Sequence, residues 1–178
     1  IYGLEDIRTM YRGTIRKVGF SRAWNIFIQL GMTDDSYTIE GSENMTYRDF
    51  VNLFLAYSPN DSVELKLRSY LKIDQDDIVW DKLVELDLFS QTKKIGLSNA
   101  TPAQMLQKIL SDSWTLEEDE KDMIVMQHKF GYELHGKKHQ IESSLVVKGE
   151  NQTFTAMAKT VGLPVAIATL KILNKEIT

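Results

Sequence analysis

Asp122-Met-Ile-Val-Met-Gln-His-Lys-Phe-Gly-Tyr-Glu-Leu134 alternates in polarity along its length. Ile124, Met126, His128, Phe130, Tyr132 and Leu134 take one side, and Gln127, Lys129 and Glu133 take the other. A period of two belongs to an extended strand, whose successive side chains point to opposite faces. His135-Gly-Lys-Lys138 reads as a turn, and Ile141, Ser143, Leu145 and Val147 carry the alternation onward. The stretch therefore predicts a β-hairpin. A lone hairpin is marginal in water. Its apolar face needs cover and its two edges need partners. The sheet is thus expected to be completed by residues beyond this sequence or by a second subunit.

Downstream lies Phe154-Thr-Ala-Met-Ala-Lys-Thr-Val-Gly-Leu-Pro-Val-Ala-Ile-Ala-Thr-Leu-Lys-Ile-Leu173, a run whose only charges are Lys159 and Lys171. Met157, Val161, Val165, Ala168 and Ile172 recur at helical spacing and predict a helix with an apolar flank able to cover the hairpin. Ala158, Gly162 and Ala166 form a second flank of minimal bulk. Gly162 and Pro164 cost a helix interior roughly 1 and 3 kcal/mol. A kinked packing helix and a helix shaped to line a cleft both fit this pattern.

Upstream the period is helical. Phe20, Ala23, Trp24, Phe27 and Ile28 make one amphipathic face, with Ser21 as its expected N-cap and Gly31 as its C-terminal stop. Residues 33–44 read as a polar loop. Faces at Tyr47/Phe50/Val51/Phe54/Leu55, Val63/Leu67/Tyr70/Leu71, Trp80/Leu83/Val84/Leu88 and Met105/Leu106/Ile109/Leu110 then predict four short helices. Their expected caps are Thr46, Asp61 or Ser62, and Thr101 before Pro102. No strand pattern interrupts them. The expected class is α+β: residues 1–32 and 116–178 contribute helix, β-hairpin and helix to a mixed or antiparallel α/β domain, and residues 33–115 form an inserted all-helical domain.

The chain has 178 residues, 43% hydrophobic and 26% charged, with a net charge of −4 and no cysteine. Those proportions are ordinary for a soluble globular protein. A net negative chain without a basic stripe gives no electrostatic case for nucleic acid. Absence of cysteine removes disulfides, thiolate nucleophiles and cysteine-bound zinc, and it fits a reducing cytoplasm. The C-terminal apolar run, broken by charge, falls short of the roughly 20 residues of a bilayer span, so no membrane partner is expected. The chain opens on Ile1 rather than Met, and it reads as part of a longer protein.

Chemistry-bearing candidates are few. Arg12-Gly13-Thr14-Ile15-Arg16 sets two guanidinium forks and a hydroxyl around a glycine. Such forks match carboxylates bidentately, whether a ligand's or the protein's own. Lys159, among small apolar residues, is either a proton-handling lysine of shifted pKa or a lysine snorkelling at a helix surface. His128 reads as a core or interface histidine. His135 and His139 flank a turn without a carboxylate to complete a metal site, and no metal is expected. The acidic run Glu117–Glu120 reads as a solvated helix start.

Three stretches together resemble one family. Met10-Tyr-Arg-Gly-Thr-Ile-Arg-Lys-Val-Gly-Phe20, Glu120-Lys-Asp-Met-Ile-Val-Met-Gln-His-Lys-Phe130 and Thr155-Ala-Met-Ala-Lys-Thr-Val-Gly-Leu-Pro-Val-Ala166 are similar to the C-terminal half of saccharopine dehydrogenase, also found in aminoadipate-semialdehyde synthases. The resemblance spans nearly the whole chain. It is most specific in the last motif and loosest over residues 33–115.

The resemblance implies an oxidoreductase of lysine metabolism, in which NADP or NAD exchanges hydride at the secondary amine of saccharopine. It places the cofactor mainly on a Rossmann domain outside this chain, so the isolated segment is expected to be inactive. It makes this chain part of a substrate-binding and dimerisation domain; with the hairpin's free edges and the absence of cysteine, the expectation is a cytoplasmic homodimer paired through its sheet region. Saccharopine carries three carboxylates, which makes Arg12, Gly13, Thr14 and Arg16 its expected binding residues. Lys159, Thr160 and Gly162 are the expected cleft-lining residues, and no catalytic residue is assigned. The position after Arg16 is usually aromatic in the family and is Lys17 here, which bears on substrate preference. Two alternatives stand beside this reading: a carboxynorspermidine- or homospermidine-type enzyme of the same superfamily, and a non-enzymatic dimerisation module.

Overall fold

A computed structural model describes residues 5–177, and they divide into two compact units whose boundary falls between Trp114 and Thr115. The first unit is helical: α1 (Phe20–Leu30), a 3-10 turn (Ser42–Asn44), α2 (Tyr47–Asn52), α3 (Val63–Leu71), α4 (Ile78–Glu85) and α5 (Pro102–Trp114). The second holds β1 (Met123–Leu134), β2 (Lys137–Lys148) and α6 (Ala156–Leu173). The class is α+β, with six α-helices and one two-stranded antiparallel sheet among the described residues.

Each helix of the first unit is bounded by local chemistry. Thr46 and Asp49 form a reciprocal capping box at α2, with the Thr46 side chain accepting from the Asp49 backbone and the Asp49 carboxylate accepting from the Thr46 backbone. Ser62 caps α3 rather than Asp61, and Asp77 caps α4 by accepting from the Val79 N–H at 2.9 Å. Thr101 and Gln104 cap α5 reciprocally. Gly31 ends α1 in the left-handed region, φ 82°, as the Met32 N–H returns to the Phe27 carbonyl at 2.9 Å.

The start of α1 departs from expectation. Gly19, at φ 84°, precedes the first residue, Phe20, and no side chain caps it; Ser21 already lies inside the helix. A turn in which the Phe20 N–H donates to the Lys17 carbonyl at 3.1 Å takes over the work of a cap. The buried arc is also rotated: Ala23, Ile26, Phe27 and Leu30 face the core while Ile28 is exposed.

α1 shares one core with α2–α5, in which Phe50, Val51, Ile95, Met105 and Ile109 have no exposed surface. Burial of such a side chain contributes about 1.5–3 kcal/mol. Polar clamps bind neighbouring helices. Arg48 forks onto both carboxylate oxygens of Glu64, at 2.5 and 2.7 Å, and this guanidinium holds the Glu64 carboxyl below the usual range. Arg22 joins α1 to Asp77 at 2.8 Å. The buried Tyr47 hydroxyl donates to Asp112, which also takes Lys108 at 2.6 Å. Burial, and then Asp112, push the Tyr47 phenol far up.

In the second unit the strands pair in register from Met123↔Lys148 to Leu134↔Lys137. The turn is tighter than the sequence suggests. His135 and Gly136 alone make it, both at positive φ (52° and 71°), which suits the right-handed twist of a two-residue hairpin loop. Lys137 and Lys138 therefore belong to β2. As expected from the alternation, Ile124, Met126 and Phe130 sit opposite Val147, Leu145 and Ile141.

The foot of the hairpin holds α6 in place. The Asp122 carboxylate accepts from the Ala156 and Met157 N–H groups at 2.6 and 2.8 Å, and Thr155 accepts from the Ala158 N–H at 2.9 Å. Gly149 is required here, because a Cβ would lie 2.2 Å from an Asp122 carboxylate oxygen. Beyond this foot the apolar surfaces are open. Phe130, Ile141, Leu145, Val161, Val165, Leu170 and Ile172 are all exposed, so α6 does not cover the hairpin face as the pattern predicted. Eighteen residues give α6 a length of about 27 Å, and by length and composition it is apolar enough to cross a membrane.

Candidate functional site

Residues 8–18 precede α1 without regular structure and are exposed. A Cβ on Gly13 would lie 3.1 Å from the Tyr11 hydroxyl, the far end of an exposed side chain. Among the described residues no carboxylate pairs with Arg12 or Arg16. Thr14 lies exposed between them. The Arg16 guanidinium sits 5.5 Å from the centre of the Phe20 ring, a cation–π approach that fixes the charge against α1.

Arg16 and Lys17 also border a cavity of about 410 Å³ between α1, α4 and the end of α5. Its aromatic wall combines Phe20 and Trp24, one turn apart on α1, with Trp114, the last residue of α5. The three rings lie within 6.1–6.5 Å of one another, centre to centre, at interplanar angles of 11–32°. Lys82 and Glu85 close another side and pair with each other at 3.5 Å. Sequence reading missed this cavity. Phe20 and Trp24 read there as ordinary members of an apolar face, and nothing marked Trp114, remote in sequence, as their neighbour.

The C-terminal candidates lie in the other unit. Lys159 is ion-paired to Glu150, and this contact holds the Glu150 carboxyl below its usual range. Thr160 donates to the Ala156 carbonyl one turn back, at 2.9 Å. A Cβ on Gly162 would meet only open space. His128 is exposed and stacks on Phe130, and His139 stacks on Tyr132, at ring separations of 5.8 and 5.2 Å. Neither site arginine belongs to the unit that carries Lys159, Thr160 and Gly162.

These features define an α+β chain in which Arg12 and Arg16 have no carboxylate partner among the described residues. Its sheet is an antiparallel hairpin, so the described residues hold no parallel βαβ unit of the kind that cradles a dinucleotide pyrophosphate. A nicotinamide dinucleotide does not fit them by that route.

Comparison with known proteins narrows the class. The saccharopine dehydrogenase C-terminal domain family matches residues 1–178, and the chain belongs to it. It is 33% identical to the mitochondrial alpha-aminoadipic semialdehyde synthase of Rattus norvegicus, over 99% of this chain and 19% of that protein. It is 30% identical to the NADP(+), L-glutamate-forming saccharopine dehydrogenase of Saccharomyces cerevisiae, over 99% of this chain and 41% of that protein. The apo histidine-tagged L-Glu-forming saccharopine dehydrogenase from Saccharomyces cerevisiae superposes with a TM-score of 0.68 at 28% identity, covering 94% of this chain and 38% of that one. The chain thus spans about two-fifths of the yeast enzyme and a fifth of the mammalian one. The resemblance read from the three motifs holds along the whole sequence.

Proposed function

We propose that this chain is the C-terminal substrate-binding portion of an NAD(P)-dependent saccharopine dehydrogenase. The observation that carries this reading is the pair of guanidinium groups, Arg12 and Arg16, unclaimed by any carboxylate among the described residues, in a chain that matches the family from end to end. A substrate with three carboxylates needs cationic forks that the protein's own acids have not taken. Gly13 lets the backbone approach the ligand, and Thr14 adds a hydroxyl donor. A polyamine substrate would need acids at this segment instead, which disfavours the carboxynorspermidine-type alternative.

The protein's part in this reading is to orient saccharopine by its carboxylates, which lowers the entropic share of the barrier. NADP or NAD is assigned to residues outside this chain, and the 178-residue segment alone is inactive. The exposed apolar hairpin face and its two open strand edges support a homodimer paired through the sheet region, in which α6 packs against protein rather than lipid. A cysteine-free chain suits a cytoplasmic setting. Titration of the segment with NADPH tests the division of labour. No saturable binding is expected at micromolar concentration, and saturable binding there would overturn it.

A further inference from the structure

We propose that the cavity between α1, α4 and the end of α5 is a binding site for a small planar aromatic carboxylate, a ligand distinct from the aliphatic saccharopine that would compete with it for Arg16. Its volume of about 410 Å³ falls within the roughly 300–1,000 Å³ typical of small-molecule sites. The wall is built for flat rings. Phe20 and Trp24 stand close to parallel, Trp114 is inclined to them by 27–32°, and it remains 52% exposed, a large apolar surface that a ligand would cover.

The rim is built for an anion. Lys82 is already paired to Glu85, whereas Arg16 and Lys17 have no carboxylate partner among the described residues. Arg16 is held over the Phe20 ring, so its fork stands at the edge of the aromatic wall. A ring entering the cavity stacks on the tryptophans while its acid group meets Arg16 and Lys17. A neutral aromatic keeps the first interaction and loses the second, and an aliphatic acid does the reverse.

The test is calorimetric titration of the 178-residue chain with 2-naphthoate and with its neutral amide, 2-naphthamide, at low salt. Naphthoate is expected to bind saturably at one site, about tenfold or more tighter than the amide, the worth of one charge-assisted contact. Arg16→Gln together with Lys17→Gln should bring the two affinities together. Trp114→Ala also removes the ring contacts to Phe20 and Trp24, so it is titrated only where thermal unfolding shows the variant folded, and there it should weaken both by about fivefold or more. Equal affinities in the parent chain, unaltered binding in the Trp114 variant, or no saturable heat at millimolar ligand would each overturn the proposal. Such a result leaves the saccharopine reading standing, because saccharopine carries no ring and has no need of Trp114.

Discussion

Replacing Arg12 or Arg16 by alanine in the full-length protein is the sharpest perturbation of the proposed substrate site. Neither guanidinium pairs with a carboxylate among the described residues, so truncation breaks no internal ion pair. Exposed positions of this kind change stability by no more than about 0.5 kcal/mol. Arg16 also loses its approach to Phe20, worth about 0.5–1 kcal/mol at an exposed site. A charge-assisted hydrogen bond to a substrate carboxylate contributes about 1.5–3 kcal/mol. Its loss lowers kcat/KM for saccharopine by roughly 10- to 150-fold, mainly through KM if the contact is equal in ground and transition states. Arginine-to-lysine changes keep the charge and lose the fork, and should fall between the parent and the alanine variants. Steady-state kinetics against saccharopine, with thermal unfolding of each variant as the control for folding, reads both quantities. If both alanine variants keep kcat/KM within about twofold, below the 0.5 kcal/mol scale of surface effects, the carboxylate-binding role is wrong. If they lose activity only in proportion to a lowered Tm, the arginines are structural.

Further outcomes follow from the packing. Phe50, with no exposed surface and set edge-on to Phe54 at 5.3 Å, should cost the helical unit about 3–5 kcal/mol on mutation to alanine, read from the denaturant midpoint of the tryptophan fluorescence transition. Gly149→Ala drives a Cβ into the Asp122 carboxylate, so amide exchange at Ala156 and Met157 should quicken while amides in α5 keep their protection; equal protection of both in the variant would show that the cap is not needed. The Glu64 carboxyl, held down by Arg48 from an ordinary value of 4.5, contributes stability above that pH and loses it as the pH falls through its lower folded value. Denaturant midpoints measured from pH 6 downward should therefore drop in acid, and Glu64→Gln should flatten that limb.

Where polarity pattern and backbone geometry agree, the sequence was a sufficient guide. The period of two over residues 122–147 placed the hairpin and its facing pairs, because a strand's side chains have nowhere to go but the two faces. Thr46, Ser62 and Thr101 announced helix starts through a local mechanism, a side-chain oxygen taking a free backbone N–H. Features that depend on residues distant in sequence stayed hidden. Gly19 starts α1 through a turn and no side-chain cap, so Ser21 drew the attention. Asp122, read as the start of an alternating strand, caps a helix 34 residues later. The cavity needs Trp114 brought to Trp24, which no periodicity reports. The arginine segment stood out because its residue types and spacing are unusual, and its role as a substrate site rests on the proposal above. Among the described residues nothing lies where a Cβ on Gly162 would point.

The most direct measurement is an assay of the full-length protein that contains this chain, with saccharopine and with carboxynorspermidine in parallel, following NADPH absorbance and released glutamate. NAD(P)-dependent release of glutamate from saccharopine is expected, with no turnover of the polyamine. Turnover of carboxynorspermidine without saccharopine activity would contradict this expectation.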